Sequence, residues 1–74
     1  MEQLKIFIKE DFIKLDSALK LASVVSTGGH AKMVIQDGLV KVNGEVCLMR
    51  GKKLYIGDKA EFEGKEIIVE NAGK

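Results

Sequence analysis

The sequence has one cysteine, one histidine, no proline, no tryptophan and only four other aromatic residues. A single cysteine can form neither an internal disulfide nor a zinc cluster, which favours a reducing, cytoplasmic setting and predicts no metal or cofactor. No run approaches the roughly 20 apolar residues of a membrane span, and the N-terminus does not resemble a secretory signal. With 74 residues, the chain is expected to form one domain, residues 1–74, with a thin core.

The sequence also has no large excess of charge of one sign, since it contains 12 basic and 11 acidic residues. Taken whole, this balance argues against nucleic-acid binding. The charges are segregated, however: residues 14–53 have a net charge of +4, residues 1–13 of −1 and residues 54–74 of −2. A basic block between acidic flanks is a weak nucleic-acid footprint, with chance clustering of surface lysines as the alternative.

Hydrophobic periodicity predicts a strand followed by two short helices. Apolar residues alternate over residues 4–9, and helical spacing runs from residue 15 to residue 22 and again from residue 31 to residue 35. Either Ser26 or Thr27 can cap the second helix through its hydroxyl, and Gly38 suits the left-handed position after its end. The helices are therefore expected to form a helix-turn-helix-like corner.

The second half of the chain is expected to be β-structure. Asn43 and Gly44 between apolar runs predict a hairpin of residues 39–42 and 45–48, and further strands are predicted over residues 59–63 and 67–69. The predicted fold class is α+β, with two short helices packed on one face of a small, mostly antiparallel sheet. Cys47 is expected opposite Val40, and would be a buried, inert thiol if that face is the core face.

Residues suited to catalysis are few, so the protein is not expected to be an enzyme. His30 and Cys47 could form a nucleophile pair, but no third group to orient them is apparent. Glu61 and Glu63 lie on one face of a predicted strand and are interpreted as solvated surface charges.

Two glycines in the first turn of the second helix are unusual, because glycine is a poor helix former. One explanation is that Gly28 and Gly29 leave the first-turn amides uncovered for an anion, with Lys32 one turn further on to bind the same phosphate. The other is that they only allow the two helices to approach closely.

The hairpin and the segment after it supply further basic residues. Lys41 is expected to point outward, and Arg50, Lys52 and Lys53 follow the hairpin with no acidic residue between them. If the hairpin folds against the second helix, these residues and Lys32 would form a groove for backbone phosphate. No aromatic lies within residues 14–53, so base stacking is not expected, and recognition of structured RNA by shape and phosphate fits better.

The chain resembles the S-four RNA-binding domain family, with its alpha-L motif, over about residues 12–64. The matching residues keep the family's order and spacing: Lys14, Leu15, Asp16, Ser26, Thr27, Ala31, Lys32, Ile35, Gly38, Val40, Lys41, Val42, Asn43, Gly44, Gly57 and Asp58. The segments starting at Thr27 and Arg50 are similar to a small stand-alone bacterial subfamily labelled YaaA or YbcJ-like, whose members are proposed to act in ribosome assembly or in other roles linked to RNA.

The resemblance implies a non-catalytic, monomeric protein that binds structured RNA, ribosomal RNA above all, with a role in ribosome assembly or translation and ribosomal proteins as further partners. It implies RNA contacts at the following positions: Lys14, Ser26, Thr27, Lys32, Lys41, Asn43, Arg50, Lys52 and Lys53. The larger family often has arginine where Lys14 and Thr27 stand. Thr27 lacks that charge, so either the affinity from this corner is expected to be weaker, or the amides of Gly28 and Gly29 are expected to supply it instead.

Three alternatives remain at this point. The first is a protein-interaction adaptor on the ribosome, and the second is an accessory RNA-binding module for a separate RNA-modifying enzyme. The third is a sulfur-carrier or ubiquitin-like protein. Such carriers end in an exposed Gly-Gly, whereas this sequence ends in Ala72, Gly73 and Lys74.

Overall fold

The structure, a computed structural model, describes residues 1–73. Over these residues the chain forms two helices and seven strands. In chain order they are β1 (Glu2–Ile8), β2 (Phe12–Lys14), α1 (Leu15–Leu21), α2 (Gly28–Gln36), β3 (Lys41–Val42), β4 (Glu45–Val46), β5 (Lys53–Tyr55), β6 (Lys59–Phe62) and β7 (Lys65–Asn71).

Five strands form the large sheet, in the order β1-β7-β6-β3-β4. The first and last strands of the chain pair in parallel, and the other neighbours are antiparallel. One face of the sheet is apolar because inward residues alternate along each strand, as with Ile6 and Ile8 in β1 and Ile67 and Val69 in β7, all of which are buried. These side chains share one core with the inner faces of both helices, which confirms the predicted α+β class with a mostly antiparallel sheet.

A second sheet, which the sequence did not predict, consists of β2 and β5 in antiparallel pairing and is called the ribbon below. Each of its strands has three residues and turns one apolar side chain inward, Ile13 or Leu54. Such short segments have too few residues for a periodic pattern. The ribbon therefore exists because its two strands meet in space, not because either has a recognisable strand sequence.

The predicted hairpin is correct in register and shorter in extent. Val42 lies opposite Glu45, and the Cys47 amide donates to the Val40 carbonyl at 3.0 Å, just as the two-residue turn requires. The paired strands themselves are only β3 and β4. Cys47 is half-buried rather than buried, and its thiol donates to the Met49 carbonyl at 3.6 Å. β4 is one of the two edge strands of the large sheet, and among residues 1–73 no strand pairs with its outer side.

Both helices end in the same way, with a residue in the left-handed conformation that lets two amides bond back into the last turn. That residue is Gly38 after α2, with φ of 77°, as predicted. After α1 it is Ser23, with φ of 62°. A non-glycine residue has a steric penalty in this conformation, and the local hydrogen bonds from the amides of Ser23 and Val24 to Lys20 and Leu19 offset it.

Candidate nucleic-acid interface

The start of α1 is capped by a distant part of the chain. Lys14 is the N-cap residue, and its side chain makes no capping hydrogen bond. Instead, the amide of Leu15 donates to the Lys52 carbonyl at 2.8 Å, and the amide of Asp16 donates to the Arg50 carbonyl at 3.1 Å. First-turn amides need such acceptors. The segment of residues 50–52 is therefore fixed across the beginning of α1.

The ribbon adds a fourth basic residue to this place. Lys14 and Lys53 are directly opposite each other in the antiparallel pair of β2 and β5. We call Lys14, Arg50, Lys52 and Lys53 the basic cluster; all four are exposed. Within residues 1–73, no lysine or arginine side chain takes part in a hydrogen bond, so their charges are available to a ligand.

A second group of predicted residues lies where α2 begins. We call residues 26–29 together with Lys32 the helix corner. Thr27, not Ser26, is the cap, since its hydroxyl oxygen accepts from the His30 amide at 3.0 Å. The hydroxyl-capped turn leads directly into the two glycines, and Lys32 is exposed one turn further along.

The glycines of the helix corner are not required by packing. A Cβ added to Gly28 would have no atom within 4 Å, and one added to Gly29 would meet only the Thr27 hydroxyl, at 3.9 Å. Both residues are helical. The explanation that they allow the helices to approach closely is therefore wrong. Their absent side chains leave the first-turn amides uncovered, which is the property that an anion site at a helix start uses.

The basic cluster and the helix corner flank α1 along the chain. The cluster is built on the first residues of the helix, whereas residues 22–25 lie between its last residue, Leu21, and the helix corner. α1 and α2 pack against each other. Both groups therefore adjoin the helix pair.

Lys41 is placed differently from the other predicted lysines. It is directly opposite Glu61 in the pair of β3 and β6, and it lines a shallow hollow together with Glu61 and Glu63. An opposite charge across the strand pair offsets that of Lys41. The structure brings Lys41 together with acidic residues, not with the basic cluster.

Asn43 has its side chain engaged within the protein. Its Nδ2 donates to Asp58 Oδ1 at 3.3 Å, and its Oδ1 accepts from the Lys59 amide at 3.1 Å. Asp58 also accepts from the Tyr55 amide, at 2.8 Å. The hairpin tip of the large sheet is in this way joined to the end of the ribbon. Asn43 has φ of 50°, a conformation that asparagine tolerates better than most residues.

Sequence reasoning missed two aromatic residues of this region. Phe12 and Tyr55 are directly opposite each other in the ribbon, on the same face as Lys14 and Lys53. Both lie just outside the basic block of the sequence, and only the pairing of β2 with β5 brings them to it. No aromatic residue lies within residues 14–53 of the sequence, but the fold places two aromatic residues beside Lys14 and Lys53.

An open groove of about 650 Å³ borders the basic cluster at Lys52. Its other walls come from β3, β4 and the chain after them: Val42, Asn43, Glu45, Val46, Cys47, Leu48 and Met49.

Cys47 lines the groove but His30, exposed on α2, does not. Within residues 1–73 there is no group of three histidine, cysteine or acidic residues that could hold a metal ion. In the same part of the chain, neither helix has the length and apolar character needed to cross a membrane.

Comparison with known proteins agrees with the predicted resemblance. Residues 6–70 match the S4 domain family, and the chain belongs to that family. It is also 46% identical over 59 residues to a protein of Bacillus subtilis (strain 168) named "Probable ribosome maturation protein RlbA". That alignment covers 80% of this chain and 83% of the relative. The match to the family extends beyond residues 12–64, on which the resemblance was first based.

Proposed function

We propose that residues 1–74 act as one RNA-binding domain that recognises structured RNA through its backbone phosphates, without catalysis. The observation that carries the proposal is the basic cluster. Residues 50–52 are fixed to the start of α1 by two backbone hydrogen bonds, and this brings the exposed residues Lys14, Arg50, Lys52 and Lys53 together at the start of the helix. Exposed side chains of one sign that make no hydrogen bond within residues 1–73 suit a phosphate-binding site.

The helix corner is the second half of the proposed interface. Ser26, Thr27, Gly28, Gly29 and Lys32 would bind phosphate through hydroxyl, amide and ammonium groups, beyond the other end of α1 along the chain from the basic cluster. Two contact points at a fixed spacing favour a ligand with a defined shape, such as double-helical RNA, over a flexible strand.

Lys41 and Asn43 have other parts in this proposal. The partners of Asn43 support a positioning role, in which its side chain fixes the hairpin against the ribbon. The neighbouring Glu61 makes Lys41 a weaker phosphate ligand than Lys14 or Lys53. The principal contacts would then be the basic cluster and the helix corner.

Ribosomal RNA is the proposed ligand, and a step of ribosome maturation in the cytoplasm is the proposed role. The support is the 46% identical relative whose name refers to ribosome maturation. Ribosomal proteins would be neighbours of the bound monomer, not its primary ligands.

Titration of the protein against a structured ribosomal RNA fragment over a series of salt concentrations tests the proposal. Affinity should fall steeply with salt, and the slope of log K against log salt should become smaller by about one for each phosphate contact that is removed. Arg50→Glu in the basic cluster and Lys32→Glu in the helix corner are both expected to weaken binding and leave the unfolding transition unchanged.

Lys5→Glu is the matched control, because Lys5 is an exposed lysine on β1 and the reversal changes the net charge equally. It should bind as the unaltered protein does. Salt-independent binding, or normal binding by both test variants, would contradict the proposal. Association with ribosomal particles that survives RNase treatment and tolerates all three substitutions would favour the protein-interaction adaptor instead.

A further inference from the structure

The outward face of the ribbon combines two aromatic and two basic side chains. In the register of β2 and β5, Phe12 is opposite Tyr55 and Lys14 is opposite Lys53, with Ile13 and Leu54 between them. Ile13 and Leu54 turn toward the core. Because successive side chains of a strand point to opposite faces, the other four share the face turned away from the core.

The aromatic half of this face has free ring surface. The rings of Phe12 and Tyr55 are tilted by 51°, with centroids 5.9 Å apart, and the Lys53 ammonium lies 4.8 Å from the centroid of the Phe12 ring. Phe12 is thereby covered on more than one side. Tyr55 is 50% exposed, and within residues 1–73 its hydroxyl makes no hydrogen bond.

The basic half of the face places two like charges directly opposite each other. Like charges directly opposite each other in an antiparallel pair destabilise it, and no side-chain hydrogen bond within residues 1–73 relieves Lys14 or Lys53. An anion between the two ammonium groups would remove this repulsion. The like-charged pair is thus a second feature of this face, beside the rings, that suits a negatively charged ligand.

The two halves are neighbours, as the base and the phosphate of a nucleotide are. Residues i and i+2 of a strand have backbones about 7 Å apart, so Tyr55 and Lys53 are adjacent on the same face of β5. Fully paired RNA cannot use this arrangement, because its bases are stacked inside the helix. An unpaired base can be turned out and stacked on an exposed ring.

We infer that the outward face of the ribbon is a nucleotide site, in which an unpaired base of structured RNA stacks on Tyr55 and its phosphate binds between Lys14 and Lys53. The inference rests on the proposed function and specifies the RNA further. The preferred ligand is a duplex with a bulged or flipped nucleotide next to the paired segment whose phosphates the protein binds. Aromatic stacking of this kind tolerates any base and contributes substantially to affinity.

Two RNA hairpins, identical except for a single 2-aminopurine bulge in one of them, provide the test. The protein should bind the bulged hairpin more tightly and change the 2-aminopurine fluorescence. Tyr55→Ala should weaken binding to the bulged hairpin by roughly 5- to 150-fold, leave the paired hairpin unaffected and abolish the fluorescence change. Tyr55→Phe should retain the behaviour of the unaltered protein.

Two further variants separate stacking from folding. Tyr55→Leu keeps an apolar side chain of similar bulk and should fail in the same way as Tyr55→Ala. Phe7→Ala removes another exposed aromatic, on β1, and should change neither affinity. Circular dichroism confirms that each variant is folded before it is titrated.

The outcomes distinguish this inference from the proposed function. Equal, salt-dependent binding of both hairpins, unaltered by Tyr55→Ala, would overturn the nucleotide site and support the phosphate surface. An equal loss for both hairpins in Tyr55→Ala would also overturn it, since stacking of the bulged base would not be the cause. Binding of neither hairpin would contradict both.

Discussion

The two sheets of the protein share one core and differ in what they present to solvent. On its outward face, the large sheet mixes charges of both signs with polar contacts, as where Lys41 faces Glu61 and where Gln3 donates to Glu66 at 3.0 Å. The ribbon presents charge of one sign, from Lys14 and Lys53, beside two aromatic rings. A near-neutral sequence thus folds into a surface with a charge-balanced part and a basic part.

The difference shows why the net charge of the chain is a poor guide to its ligand. Five of the eleven acidic residues lie within residues 54–74, and Glu61, Glu66 and Glu70 among them are on β6 and β7 of the large sheet. Asp58, in contrast, accepts from the Tyr55 amide at the end of the ribbon. The relevant quantity for phosphate binding is the local field at the basic cluster, since screening weakens contributions from distant charges.

The largest expected effect concerns the core that the sheets share. Leu54 of the ribbon and Ile67 of the large sheet are both completely buried. Replacement of either by alanine is expected to lower the free energy of unfolding by about 2–5 kcal/mol, measured by urea denaturation. In a small domain this is a large part of the total stability.

This pair of variants also asks whether the ribbon is an integral part of the fold. Ile68→Ala, at a half-buried position of β7, is the control and should cost much less. If Leu54→Ala were as mild as Ile68→Ala, the ribbon would be an appendage, and the view that both sheets share one core would fail.

An intermediate effect is expected at the junction between the sheets. Asn43→Gly retains a residue that accepts a positive φ and removes the two hydrogen bonds to Asp58 and Lys59. At about 0.5–1.5 kcal/mol for each hydrogen bond, the free energy of unfolding should fall by about 1–3 kcal/mol. Hydrogen exchange at the Tyr55 amide, which donates to Asp58, should accelerate.

Gln3→Ala is the matched control, because it removes a single exposed side-chain hydrogen bond that lies within the large sheet. It should cost little and leave exchange at Tyr55 unchanged. Asn43→Gly protein that remains folded should still bind RNA; a loss of affinity without a loss of stability would instead make Asn43 a direct RNA ligand.

The parts of the fold that local patterns control were predictable from the sequence. Helical stripes and turn residues gave α1, α2 and the hairpin register, because a helix or a two-residue turn is specified by residues close together in the chain. The parallel pairing of β1 with β7 and the ribbon were not predictable in this way. Residues 12–14 and 53–55 pair across most of the sequence, and each segment has a single inward apolar residue.

The same limit applies to the candidate site. The basic residues and the glycines of the helix corner were identifiable from composition and motif. Their grouping was not, because it depends on two carbonyls of residues 50–52 that cap α1 in place of a side chain. Tyr55 and Phe12 gave no signal at all, since neither lies within the basic block and only tertiary pairing unites them with Lys14 and Lys53.

The smallest expected change in stability concerns Lys14. A charge reversal at this residue should raise the free energy of unfolding and lower the affinity for RNA. Lys14→Glu replaces the like-charged pair with Lys53 by an opposite-charged pair and puts a negative charge at the start of α1, where the helix dipole favours it. The free energy of unfolding should rise by about 0.5–1 kcal/mol, while RNA affinity and its salt dependence both decrease. Lys5→Glu, an equal charge reversal on the large sheet, should alter neither binding nor its salt slope. A variant of Lys14 that loses stability and affinity together would show that the ribbon's charges serve the fold. A rise in the free energy of unfolding together with a loss of RNA affinity would mean that Lys14 and Lys53 serve ligand binding, because the protein without RNA is more stable when their repulsion is removed.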